Sequence, residues 1–270
     1  MKNRYQIMII IIMLGLISSA CSLSCLSGDN QNEIAEALQE DVDQLSALFD
    51  AQKLPEHFIT MNPVRTGNEF DVMSIFTTLD HLSMAEGYVL DYVYDYQSIG
   101  GVPFLYVREN NLAMYADISS YLQDYPECCG KNPPDSCNYL NYVQTDGSEE
   151  GWIQFIVLKM MGRQFYQYWH AGYGDTQILT TQDAVDTLVE DLRKGKFGWP
   201  LTLVQTVMAK AIDPMPEVKI SSDTVTVRVV WFTHWGGFFE SSYSISKDYP
   251  HSITELEKKN LVEYECGIMY

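Results

Sequence analysis

Positive charge is what this chain has least of. Its 17 Lys and Arg face 36 Asp and Glu, a formal net charge of −19. Two of the cations, Lys2 and Arg4, fall in an N-terminal leader, so the rest of the chain is more acidic still. That balance excludes unaided binding to nucleic acid, whose phosphates require a basic face. It also disfavours a grip on anionic lipid by net charge, and its plainest consequence is solubility. The recognised catalytic signatures are missing too. There is no Gly-rich loop ending in Lys-Ser/Thr, no HExxH, no GxSxG and no EF-hand spacing. Ser148 stands between Gly147 and Gly151, but with the wrong spacing for a nucleophile elbow, and it begins a helical pattern. The cysteines lack the regular CxxC-like spacing of a zinc site, so neither a metal nor a cofactor is implied. No Asn-x-Ser/Thr sequon occurs.

Hydrophobic residues make up 46% of 270, enough for the core of one large domain and no case for global disorder. No repeat or low-complexity tract divides the chain. Lys2 and Arg4 precede an apolar run from Ile7 to Ile17, followed by Ser18, Ser19 and Ala20. This is the three-part pattern of a secretory signal peptide. Cys21 directly after Ala20 makes it resemble a bacterial lipoprotein signal, in which the cysteine is lipidated and becomes the mature N-terminus. Ser18 departs from the leucine usual in that signal, and Ser18-x-Ala20 would also serve ordinary signal cleavage. The expected organisation is a signal peptide over 1–20, a polar lipid-anchored tether over 21–32 and a single α+β domain over 33–270. Export places the cysteines in an oxidising setting. Cys128, Cys129, Cys137 and Cys266 then suggest two disulfides, neither joining the adjacent pair.

The stretch from Asp146 to Asp175 organises the rest. Asp146 and Glu149 have capping-box spacing, and the residues from Trp152 to Trp169 are mostly apolar or aromatic. The period predicts a buried helix running to His170, with Lys159, Arg163, Gln167 and His170 on a polar stripe. Leu158, Met161, Phe165, Tyr168 and Trp169 fall on its buried side. Gly172 and Gly174 let the chain leave the helix.

Other helices are expected over Glu33–Asp50, over Asp71–Met84 with His81 on it, from Thr181 as N-cap, and over Leu201–Ile212. Tyr88–Gln97 alternates with period two and turns at Gly100-Gly101 into Phe104–Arg108, a hairpin with Pro103 at a strand start or edge. A second hairpin spans Thr224–Ser246, with Gly236-Gly237 as a two-residue turn and His234 opposite Phe239. Tyr264–Tyr270 reads as a last strand pinned through Cys266. Segregated helices and hairpins point to an α+β fold, two antiparallel hairpins on a buried central helix with outer helices around it.

Two function classes fit. One is an exported binding or interaction module, held at the membrane by lipid on Cys21, that meets a glycan or a protein at the cell surface. Its contact residues would be Tyr92, Tyr94, Tyr96 and Trp235, although tyrosine rows also simply make good strands. The other is an extracytoplasmic hydrolase. His170 would be its base and Asp175 the orienting carboxylate, with His234 in support.

Overall fold

The computed structural model describes residues 30–97, 99–129, 133–196 and 198–267, without the side chains of residues 129, 171 and 173. The leader, Cys21 and the tether up to residue 29 lie outside them.

The protein is α+β. In chain order come helix α1 (residues 30–50), the short α2 (Ile75–Thr78), β1 (Leu82–Met84), β2 (Tyr88–Gln97), β3 (Gly100–Glu109), α3 (Ile118–Asp124), β4 (Val143–Thr145) and α4 (Glu149–Met161). Then follow β5 (Tyr168–Trp169), β6 (Gln177–Leu179), α5 (Gln182–Arg193), α6 (Leu203–Lys210), β7 (Glu217–Ile220), β8 (Thr224–Thr233), β9 (Gly237–Ser246) and β10 (Ile253–Glu263). They form three antiparallel sheets: β1-β4, β2-β3-β5, and β10-β9-β8-β6 with β7 also beside β8.

Helix α1 buries Leu38, Val42, Leu45 and Phe49, a stripe at helical spacing. Its residues 30–32 are already helical, where a tether was expected. Two long-range polar links fasten it. Gln154 donates to Asp41 at 2.8 Å. Thr180 donates through its N–H to Gln39 at 2.9 Å and through its hydroxyl to the Ala35 carbonyl at 2.7 Å.

Helix α4 is enclosed, with every residue from Gly151 to Leu158 buried. Its N-cap is Ser148, whose hydroxyl accepts from the Gly151 N–H at 3.0 Å, and not the expected Asp146–Glu149 box. Asp146 acts one step further back, accepting from the Ser148 hydroxyl at 2.6 Å. The helix also stops at Met161, well before His170, because the next aromatics are wanted elsewhere. Phe165 lies 4.8 Å from Phe70 and 4.9 Å from Tyr92, and the Tyr166 hydroxyl accepts from the Phe70 N–H at 3.0 Å. The predicted polar stripe therefore breaks up, and only Lys159 of its four residues lies in α4.

Other expectations shift as well. The helix foreseen to Met84 ends at Thr78, since Leu82–Met84 pairs with Val143–Thr145 as strand. In the second hairpin Thr233 pairs with Gly237 and Trp231 with Phe239, so His234, Trp235 and Gly236 form a three-residue turn. His234 is therefore not opposite Phe239. Gly237 has φ +100°, and a Cβ there would lie 2.1 Å from the Val262 carbonyl oxygen, so only glycine closes the turn. Among the described residues the last strand is β10, and 264–267 are not strand; the rest of the strand expected over 264–270 lies outside the described residues. Pro103 sits within β3 opposite Tyr94, where β5, which reaches only Gly100 and Gly101, leaves the edge open.

The largest core joins α1, α4, β2 and β8 through residues such as Leu45, Phe155, Tyr92 and Val227. A second gathers α5, β6 and the far face of β8–β9. A third lies on the opposite face of β2–β3, where Val93 and Tyr106 meet Tyr121 and Cys128. Cys128 bridges Cys137 and staples this loop. The second predicted bridge is not made by Cys266, a free thiol buried in the second core, away from the disulfide loop. On the third-core face Asp91 receives Arg108 Nε at 2.7 Å and also binds Arg65, whose guanidinium lies 3.9 Å above the Tyr92 ring.

Candidate functional site

The segment after α4 brings the candidate residues together. Once Phe165 and Tyr166 are seated in the core, the backbone must reverse towards the tip of β2–β3. Tyr166 and Trp169 both take φ of 53°, left-handed values that a bulky side chain adopts only when its surroundings force it. The forcing contacts are visible. Tyr94 donates its hydroxyl to the Tyr166 carbonyl at 2.8 Å, and Gly100 and Gly101 pair with Trp169 and Tyr168. A Cβ at Gly101 would fall 2.4 Å from the Tyr94 hydroxyl, so this approach depends on glycine.

The result is an aromatic projection. Trp169 is 71% exposed and Ile99, on the facing turn, 63%. Below them the rings of Tyr96 and Tyr168 lie 5.9 Å apart. His170 follows, its N–H donating to the Ile99 carbonyl and its ring edge-on to Trp169 at 5.6 Å.

Asp175 and His234 meet at the other end of this segment. The Asp175 carboxylate accepts from the Thr233 hydroxyl at 2.6 Å and from the His234 N–H at 3.2 Å, and it pairs directly with His234 Nδ1. Trp235 closes the loop by donating Nε1–H to the Gly172 carbonyl at 3.1 Å. A carboxylate on Nδ1 is the orientation that general-base chemistry needs at Nε2. Here, though, the ring sits among Phe232 and Tyr264 and Nε2 is buried.

Of the predicted residues, then, Asp175 meets the turn that holds His234 and Trp235, His170 lies on the segment that leads to it, and Tyr96, on β2, packs beside Tyr168 of that segment. Tyr92 and Tyr94 do not reach the surface: both have 0% exposure and are core. Burial drives the phenols of both strongly up. Sequence reading missed Trp169, which it placed on the buried side of a longer helix, and Ile99. A signal existed in the facing pairs Gly100-Gly101 and Tyr168-Trp169, which make a close strand approach possible.

Three other clusters resemble chemistry and resolve into structure. His81 Nδ1 lies 2.7 Å from Asp146 and 3.3 Å from Ser148 Oγ. A relay would need the serine on Nε2, and this hydroxyl already donates to Asp146, so the trio is an elaborated helix cap. The Asp146 bond raises the His81 pKa. Burial works against the Asp146 charge, but bonds from Ser148 and His81 outweigh it and hold the carboxyl at about 2. Glu69 is likewise held at about 2, its burial outweighed by the N–H and hydroxyl of Thr66 and the N–H of Gly67, and it faces His57 Nε2 at 2.9 Å. Donor atoms of Glu127, Cys128 and Cys137 fall within 4.8 Å of one another, but the two sulfurs are spent in the disulfide.

No helix among the described residues is long and apolar enough to cross a membrane. Comparison with known proteins finds no match to the chain among family models, curated proteins or solved structures.

Proposed function

We propose that this is an exported, lipid-anchored binding module that engages its partner through the aromatic projection around Trp169. The carrying observation is Trp169 itself, 71% exposed on a left-handed backbone. Leaving an indole in water costs hydrophobic free energy, and holding it in that conformation costs roughly 1–3 kcal/mol more. A fold tolerates both where the ring has a task. The hairpins packed about α4 supply a rigid base for it, and a planar ring flanked by Ile99 and the Tyr96–Tyr168 pair suits the C–H face of a glycan. Support for the address comes from the leader pattern, Cys21, and a disulfide compatible with an oxidising compartment.

Trp169→Ala tests the reading by glycan-array binding and thermal denaturation. Binding falls at least about tenfold, as for a central aromatic anchor, while stability holds. Unchanged binding to every glycan that the wild type retains would remove the projection from the site. Intact-mass analysis of membrane-extracted protein tests the anchor, and an unmodified Cys21 would leave secretion without lipid.

The Asp175–His234 pair supports a second reading, a hydrolase in which the turn opens to free Nε2. A substrate screen with His234→Ala decides it: a positioned base contributes about 10²–10⁴-fold, so activity present in wild type and absent in the variant favours catalysis.

A further inference from the structure

The first turn of α4 lies among carboxylates. Glu149 and Glu150 belong to it, Asp146 just precedes it, and Asp80 and His81 lead into β1 beside it. The His81 imidazole has a carboxylate at each nitrogen, Asp146 at 2.7 Å from Nδ1 and Asp80 at 3.9 Å from Nε2. It packs on the helix itself, since a Cβ on Gly151 would stand 3.5 Å from its own Cβ. The dipole of α4 opposes a cation at this end with the equivalent of about half a charge. Two carboxylates so close to the ring outweigh that and favour its protonated form.

The main chain of His81 extends the cluster to α1. Its N–H donates to Gln154 Oε1 at 2.9 Å, and Gln154 Nε2 donates to Asp41 at 2.8 Å. Gln154 is fully buried, and its amide has one accepting and one donating end, so it joins the two only in this orientation. Burial raises the Asp41 pKa, the Gln154 bond and the His81 charge work against that, and Asp80 and Glu40 add to it. Asp41 and His81 therefore feel each other's charge across the seam between the two helices.

We infer that His81 is the proton receptor of a latch between α1 and α4, which holds most firmly when the ring is charged. The proton places one positive charge among Asp41, Asp80, Asp146 and Glu150. Without it those carboxylates repel one another, and the repulsion falls on the Gln154 link to α1. The bond from Asp146 raises the His81 pKa, burial opposes it, and the charges of Asp146, Asp80 and Glu150 add to the rise. A group raised in this way contributes stability that is fully present below 6.5 and is lost as pH climbs through the folded value. Asp41 acts in the same direction from 3.8 upward, while Asp146, at about 2, stays charged across the range. The latch is thus firmest in mild acid and loosens towards alkaline pH, and the first described helix is the element released.

The test is hydrogen exchange in residues 30–50 of the full chain, corrected for intrinsic rates, at about pH 5.5 and about pH 8.5. At the higher pH α1 opens about two- to fivefold more often, as for an ion pair at a partly exposed site, while β8 and β9 keep their protection. His81→Gln retains the N–H bond to Gln154 but cannot titrate, and it abolishes the difference. Asp41→Asn keeps an acceptor for Gln154 without the charge, and it narrows the difference. In wild type, NMR titration places the His81 midpoint above 6.5. Exchange of α1 that is the same at both pH values would overturn the proposal, as would a difference that survives in His81→Gln. A rise shared equally by β8 and β9 would replace the latch with a loss of global stability. A His81 midpoint at or below 6.5 would remove its receptor.

Discussion

Helices α5 and α6 pack side by side and use their apolar residues in opposite ways. Helix α5 spends Val185, Leu188, Val189 and Leu192 on the second core and turns charge outward. Helix α6 does the reverse: Leu203, Val204, Val207 and Met208 are exposed, while Thr206 and Ala209 are buried. Both start with a threonine cap, Thr181 accepting from the Ala184 N–H and Thr202 from the Gln205 N–H, each at 3.2 Å. Hydrophobicity by itself therefore does not say which side of a helix the fold keeps.

The sharpest way to break this contrast is truncation. Leu192→Ala is expected to cost about 2–5 kcal/mol in urea denaturation, as a buried leucine does. Leu203→Ala should stay within about 0.5 kcal/mol. Equal losses would mean that the face of α6 is structural after all. Enlargement tests the inner side: Ala209 is fully buried in the second core, so Ala209→Leu should cost about 1–3 kcal/mol through overpacking. The caps should not discriminate, with Thr181→Ala and Thr202→Ala each costing about 1 kcal/mol by the same measurement.

The smallest effect joins the two helices. Glu190 has its carboxyl pulled below the ordinary value by bonds from Arg193 and Lys210. A carboxyl lowered on folding contributes stability above its unfolded value of 4.5 and loses it as pH falls through the folded one. NMR titration should find Glu190 below that value, with the shift collapsing in high salt because these ion pairs lie at the surface. A buried histidine gives the converse sign check. His251 packs edge-on against Trp152 and Phe155, and burial lowers its pKa, so it destabilises the fold as pH drops below 6.5.

Much of the fold was legible where a single period governs a segment. The stripe of α1, the start of α5 at Thr181 and the alternation of β2 all appear where the sequence places them. What failed were places where tertiary demand overrides local pattern. Nothing local says that α4 should end at Met161, because the reason is a pocket built by Phe49, Phe70 and Tyr92 from distant segments. Strand β10 escaped notice because Glu255, Glu257, Lys258 and Lys259 look like loop, yet charge is how an edge strand resists pairing with other chains. The register of β8–β9 turned on whether Gly237 belongs to the turn or opens β9 opposite Thr233, which composition does not reveal. At the site, Asp175 was expected to orient His170, and its carboxylate binds His234 instead. The exposure of Trp169 was not legible, since it depends on where α4 stops.

The ties of α1 also set a schedule. Gln39 and Ala35 close onto Thr180 across 141 and 145 positions, and Asp41 onto Gln154 across 113. During synthesis the first described helix emerges long before anything exists to cover Leu38, Val42 and Leu45. Contacts so distant in sequence form slowly, because a long loop must close before any bond rewards it. The nascent chain thus carries an open apolar stripe for most of its elongation, a natural handle for a holding chaperone and a reason for the chain to stay loose until its middle third has arrived.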